Sequence, residues 1–302
     1  WLSPNGDGKN DDLVVAARVS ETVATSLQVR NAAGTSVWSA SVTGDMARFT
    51  WNLRTSAGAL VPDGAYSWTM KLRDTWGNPT AARSGSFTVD HRAPVTTAST
   101  ASIAGQGGWI ITAPVVTLTA TDALSGVGSI KWRLDGGSVR TYTAPVSVTV
   151  NGTPKFEYRA VDRAGIVEAW HSLTLKIDTV PPAIAIPVAG NPGATDGTWL
   201  GPVTVSPAVV DVTSGVGTTT ISVDGAAPAS LGKAPVVVAG EGEHTVAVTA
   251  TDVAGNAATT SRTFVIDTVA PVVELLALAP EGSSIPTVTP NGDKAGESIA
   301  FP

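Results

Sequence analysis

Apolar and polar residues alternate in short runs along much of the chain. In its middle third, Val116, Leu118 and Ala120 alternate with Thr117, Thr119 and Thr121. Ile130, Trp132 and Leu134 alternate with Lys131, Arg133 and Asp135, and Phe156, Tyr158 and Ala160 with Lys155, Glu157 and Arg159. A period of two sends one set to the core face of a strand and the other to the opposite face. Ser125-Gly126, Asp135-Gly136-Gly137, Asn151-Gly152 and Ala164-Gly165 separate the runs, and these residue types close turns between antiparallel strands. The pattern predicts seven strands, near residues 97–103, 115–122, 129–134, 139–142, 146–150, 155–162 and 172–177. Trp132, on the core face of the third, is the expected core plug.

The pattern also repeats. Asp90-His91-Arg92-Ala93-Pro94, Asp178-Thr179-Val180-Pro181-Pro182 and Asp267-Thr268-Val269-Ala270-Pro271 recur at steps of 88 and 89 (178 − 90 and 267 − 178). Upstream of each stands a second anchor: Asp74-Thr75-Trp76-Gly77-Asn78, Asp162-Arg163-Ala164-Gly165 and Asp252-Val253-Ala254-Gly255-Asn256. Ser125-Gly126-Val127-Gly128 returns as Ser214-Gly215-Val216-Gly217, and Asp135-Gly136 as Asp224-Gly225. In the third copy Ile221 takes the place of the core tryptophan. A unit of this length is too long for one turn of a solenoid and suits a small sandwich domain. The expected fold is all-β, with three tandem immunoglobulin-like β-sandwiches in an extended array at 1–94, 95–182 and 183–271. Residues 272–302 read as the start of a further module. Proline at each short junction predicts semi-rigid linkers.

Composition narrows the function. Charged residues are 15% of the chain, the net charge is −6 and the pI is near 5.0. Such a chain offers no basic field for nucleic acid or anionic lipid. Cysteine is absent, which removes disulfides, thiolate metal sites and cysteine nucleophiles together. No apolar run is long enough to span a bilayer, and the longest tidy one, Val272 to Ala279, contains Glu274. The chain opens almost inside a motif and ends inside another, so it reads as a segment of something longer.

Several motifs carry resemblances. Gly58-Ala59-Leu60-Val61-Pro62-Asp63-Gly64-Ala65-Tyr66-Ser67-Trp68, after Trp51-Asn52-Leu53-Arg54, resembles the immunoglobulin-like module of flagellar hook-capping scaffolds. Ser3-Pro4-Asn5-Gly6-Asp7-Gly8-Lys9-Asn10-Asp11 is similar to the leader that opens such modules in surface and secretion-system proteins. The second unit, Trp109 to Asp178, resembles immunoglobulin-like repeats of bacterial surface and extracellular proteins, and the third looks like a diverged relative. These resemblances imply an architecture and an extracellular or cell-surface location, and no reaction.

Candidate chemistry is sparse. His91, His171 and His244 fall one to a unit, without an HExxH, GxSxG or GxxxxGK[ST] motif. Gly105-Gln106-Gly107-Gly108 lacks dinucleotide-loop spacing and reads as a connection. The chain is therefore not expected to be an enzyme, and it needs no cofactor. Acidic turns are the informative residues. Asn5, Asp7 and Asp11 place oxygen ligands at spacings suited to calcium, although Val14 stands where a closing Glu is wanted. Thr289-Pro290-Asn291-Gly292-Asp293 repeats this leader. The bland alternative is a turn built from residues that tolerate left-handed backbone.

Topology supplies a second set. In a seven-strand sandwich, the loops after the second and sixth strands share a pole with the incoming linker. Asp122 and Asp162 should therefore approach Asp90, and Asp211 and Asp252 should approach Asp178. Carboxylates so gathered either cap their own turns or hold a hard cation such as calcium. Trp76, Trp109, Trp170 and Trp199 fall near strand ends, where rings stack on sugars or plug domain junctions. Asn151-Gly152-Thr153 reads first as a turn and second as a glycosylation sequon. Two functions follow: a structural stalk of a secreted or surface protein, adhesive in some settings, or a carbohydrate-binding accessory of an extracellular hydrolase. The expected partners are other domains of the same polypeptide and a cell-surface protein or polysaccharide.

Overall fold

A computed structural model describes residues 1–273 and divides the chain into two compact units, Trp1–Val180 and Pro181–Pro302. Among the described residues every regular element is a strand. The leader copy at 289–293 and the tail 274–302 lie outside the described residues.

The first unit opens with one four-stranded antiparallel sheet, ordered β2-β1-β3-β4. It comprises β1 (Leu13–Asn31), β2 (Ser36–Trp51), β3 (Gly64–Asp74) and β4 (Arg83–Val89). β1 and β2 run on for 19 and 16 residues, with their register broken between Arg18 and Val23. That irregularity lets the sheet fold over itself, since bulged strands bend. Val15, Ala47 and Phe49 from one end then pack against Leu27, Met70 and Leu72 from the other. A second core gathers Val29, Trp51, Leu53, Val61, Tyr66 and Val89. The Gly58–Trp68 motif builds its edge: the Tyr66 hydroxyl donates to Pro62 O (2.7 Å) and the Trp51 indole donates to Arg54 O (2.6 Å).

The rest of this unit is a two-sheet sandwich. One sheet, β5-β6-β9, holds β5 (Val95–Ala101), β6 (Val115–Thr121) and β9 (Val146–Ser147). The other, β11-β10-β7-β8, holds β7 (Val127–Leu134), β8 (Arg140–Thr141), β10 (Lys155–Asp162) and β11 (His171–Thr174). Seven strands stand close to where the alternation puts them. Val116, Leu118, Val148, Phe156, Leu175 and Ile177 fill the core between the sheets. Trp132 faces this core but stays half-buried, stacked on Phe156 at 5.3 Å. The fully enclosed ring is Phe156, so it, and not Trp132, is the plug.

The second unit has the same plan, with β20 and β21 its longest strands. The strands are β12 (Ala183–Ala185), β13 (Val188–Ala189), β14 (Thr198–Trp199), β15 (Val203–Val205) and β16 (Ala208–Val210), then β17 (Val216–Val223), β18 (Ala229–Ser230), β19 (Val236–Val238), β20 (Gly242–Asp252) and β21 (Ala257–Ile266). A five-stranded sheet, β14-β21-β20-β17-β18, faces a three-stranded one, β13-β15-β19, and the pair β12-β16. Ile221, Val246, Val248, Phe264 and Ile266 meet Val203, Val205 and Val238 across the core. Ile221 thus occupies the core position expected of it.

Candidate metal centre

Three loops of the first unit converge on Asp90. The leader starts this convergence, because Leu2 runs parallel to Val89, donating its N–H to Thr88 O (2.9 Å) and accepting from the Asp90 N–H (3.0 Å). Residues one step beyond a paired position share a side, so Ser3 stands beside Asp90, and both are fully buried. Asp90 Oδ2 then takes the N–H of Ser125, from the loop after β6, at 3.0 Å, and Oδ1 takes that of Arg92.

Asp122 closes β6. Its Oδ1 accepts from the N–H groups of Leu124 (3.1 Å) and Gly126 (2.7 Å), the local turn that Asp side chains favour. Asp162 ends β10, where the register with β7 slips between Val161 and Asp162. Gly128 makes the slip fit: a Cβ there would lie 2.6 Å from Asp162 O and 3.1 Å from Val161 O. Asp162 Oδ1 accepts the Ile166 N–H at 2.7 Å. One carboxylate oxygen from each of Asp90, Asp122 and Asp162 lies within 4.8 Å of the other two.

The electrostatics of this cluster are unfavourable as it stands. Two unit charges at this distance repel by roughly 3–4 kcal/mol at an effective dielectric near 20. Among the described residues no Lys, Arg or His forms an ion pair with any of the three. Burial, reinforced by the charge of Asp90, pushes the Asp162 carboxyl above the usual carboxylate range. The Ile166 amide, then the Ser125 hydroxyl, offset part of that rise, and the same hydroxyl makes a long 3.4 Å bond to Asp122 Oδ1. Asp162 Oδ2 and Ser3 Oγ are both sealed from solvent without a hydrogen-bond partner.

The leader residues act on their own loop. Asp11 takes the N–H groups of Gly6 and Gly8, each at 2.8 Å, while Asn5 Oδ1 takes that of Asp7 and Asp7 Oδ1 that of Lys9. The fold does not gather Asp7 or Asp11 with a third acid among the described residues. The loop instead lies across the Asp162–Ile166 turn. Asn5 Nδ2 donates to Gly165 O (3.4 Å), and Asp7 Oδ2 sits 3.3 Å from where a Gly165 Cβ would project.

In the second unit, Asp211 and Asp252 bring one carboxylate oxygen each to within 4.8 Å. Asp211 Oδ1 accepts from the N–H groups of Ser214 (2.9 Å) and Gly215 (2.7 Å); Asp252 Oδ1 accepts from those of Gly255 and Asn256. Gly217 repeats the role of Gly128, its absent Cβ 2.7 Å from Asp252 O. Asp178, at the end of the first unit, is fully buried and accepts the Val180 N–H at 3.1 Å.

Two polar staples had no legible signal. Buried Glu168 takes the amide and hydroxyl of Thr96, the Ala160 amide and His171 Nε2, tying β5 to β10 and β11. Burial pushes its carboxyl up, but these donors outweigh it and hold it below the usual range. Asp63 takes the backbone N–H of His91 (2.8 Å), the His91 ring and Arg92 Nε (2.9 Å), pinning the first junction. Asn151 is more than a turn residue: its Oδ1 accepts both the N–H and the O–H of Thr179 at 3.1 Å.

The architecture is that of tandem β-sandwich repeats. A family model described as the CHU_C type IX secretion signal domain matches residues 1–89, which supports a secreted or cell-surface location. A search of curated proteins found no match. Solved structures that resemble the chain include a tetra-tandem repeat from the extending region of a large adhesion protein. It is 20% identical, with 86% of this chain and 72% of that one covered and a TM-score of 0.31. A bacterial ice-binding adhesin is 16% identical, with 85% and 91% covered and a TM-score of 0.37. Fibronectin(III)-like modules of Clostridium thermocellum CbhA are 17% identical, with 55% and 86% covered and a TM-score of 0.30. At such scores these likenesses add nothing to the sheets described above.

Proposed function

We propose that the chain is a non-catalytic spacer, or stalk, of a larger bacterial secreted or cell-surface protein. Its modules are 1–94, 95–182, 183–271 and the beginning of another at 272–302. The observation that carries this reading is the way the first two modules are bound together: Asp90 takes the Ser125 N–H and the leader lies on Gly165, while Asp63 fixes the linker residues His91 and Arg92 from within the first module. A junction with this many specific bonds suits a part that transmits position more than one that opens around a ligand. The secretion-domain match at 1–89 supports the extracellular setting. The finer likeness of the first module to hook-capping scaffolds rests on the Gly58–Trp68 motif alone.

A carbohydrate-binding accessory needs a row of open rings on one sheet face. Trp51 is buried with Trp38 stacked on it, Trp132 lies on Phe156, and Trp170 is held between Arg133 and Arg159, each 4.3 Å from its ring. Among the described residues the tryptophans classed as exposed are Trp1 and Trp76, which do not make a row.

The spacer reading requires length. Three sandwiches of about 35–45 Å joined by stiff linkers give a largest dimension of roughly 110–130 Å in small-angle scattering. A radius of gyration near 19 Å, the value for about 300 residues packed as one globule, overturns it.

A further inference from the structure

We propose that Asp90, Asp122 and Asp162, with the hydroxyl of Ser3, form a calcium site in the first unit. The distances fit one ion. Oxygens bonded to a common calcium at about 2.3–2.6 Å lie no more than about 4.6–5.2 Å apart, and the three carboxylates meet at 4.8 Å or less. Two further observations point to something that the protein atoms do not supply. Ser3 Oγ, fully buried beside Asp90, has no hydrogen-bond partner, and neither does the sealed Oδ2 of Asp162. Buried oxygens are ordinarily paired, and exceptions call for an ion, a water or a protonated acid. Three gathered acids without a cationic side chain favour the ion.

The donor set selects its kind. All four ligands are hard oxygens, and no cysteine exists in the chain, which disfavours soft transition metals. Magnesium keeps much of its hydration shell and needs near-octahedral geometry, whereas calcium accepts irregular carboxylate cages. The leader supplies Ser3 and covers the Asp162 turn, so the ion would clamp four segments: the leader, the β4 exit, and the β6 and β10 loops of the following sandwich. Its role is to replace repulsion at that junction with a common ligand.

Calorimetric titration of the full chain, stripped with EDTA and then given calcium chloride to about 10 mM, tests the site. This range exceeds the weakest extracellular calcium modules by roughly tenfold. Asp162→Asn removes a charge while keeping the oxygen that takes the Ile166 N–H. It should lower the number of bound calcium ions by one and leave the calcium-free melting temperature unchanged or higher. Ser3→Ala, which changes no charge, should weaken binding several-fold at the same site and serves if Asp162→Asn does not fold. An unchanged stoichiometry and affinity in whichever variant folds overturns the proposal, as does a wild-type chain that takes up no calcium. That last result would leave water or a protonated Asp162 at the junction.

Discussion

Single side chains decide which parts of each repeat bear stability. Phe156 is wholly enclosed between the sheets of the middle sandwich, while Trp132 covers it from the rim. Phe156→Ala should cost about 3–5 kcal/mol in denaturant unfolding, and Trp132→Ala about 2 kcal/mol, since that ring is only partly buried. The reverse order would mean that the plug is the tryptophan after all. In the second unit His244 donates from Nδ1 to Asp224 Oδ2 (2.8 Å) and from Nε2 to Gly240 O (3.1 Å) when protonated. The Asp224 carboxylate, then the Gly240 carbonyl, raise the His244 pKa; His244, then the Thr245 amide, lower that of Asp224. A raised histidine contributes stability that is complete below its unfolded pKa near 6.5 and lost as pH climbs through its folded value. The lowered aspartate contributes above about pH 4 and loses that contribution as pH falls through its folded value. The pair is therefore strongest between about pH 4 and 6.5. Melting of the chain at pH 5.5 and 8.5 should show a drop at the higher pH, and His244→Gln should shrink that drop.

At the scale of elements, the second glycine of each Ser-Gly-Val-Gly motif sets how the strands close. Gly128 lets β7 approach the end of β10 where the register slips, and Gly217 does so for β17 and β20. A methyl group at 128 would sit 2.6 Å from a backbone oxygen, which cannot swing aside as a side chain can. Gly128→Ala should destabilise by on the order of 1–3 kcal/mol, the usual cost of overpacking. Because the same contact positions Asp162, this variant should also weaken calcium uptake. A fully stable Gly128→Ala protein would show that the strand end shifts freely. The Glu168 staple belongs to the same scale. Glu168→Gln keeps the shape but turns one acceptor oxygen into a donor facing the amides of Thr96 or Ala160, and should lower the melting temperature.

Over the whole molecule, the repeats do not map one to one onto compact units. The first two lie together in Trp1–Val180, tied by the Asp90 and leader contacts, and the third lies in Pro181–Pro302. Scanning calorimetry should resolve more than one transition, with Phe156→Ala lowering one and leaving another in place. A single transition that shifts as a whole would mean that the repeats unfold as one cooperative body.

Strands and turns were legible in the chain because they depend on neighbours in sequence. Alternation across Val116–Ala120 and Ile130–Leu134 marks core faces whatever lies opposite, and Asp-Gly and Asn-Gly pairs close turns through their own backbone. The expected strand order likewise placed Asp90, Asp122 and Asp162 at one pole, since loops after the second and sixth strands of such a sandwich share it with the incoming linker. Tertiary structure decided the rest. It sent the two longest strands of the first repeat into one folded sheet, where a register slip, invisible in composition, sets the bend. It laid the leader loop, held by its own amides on Asn5, Asp7 and Asp11, against Gly165. It also brought Ser3 to Asp90 and Glu168 to Thr96, pairs separated by 87 and 72 positions. Nothing in a lone serine or glutamate announces such a partner; only the packing of distant segments brings them together and seals them from water.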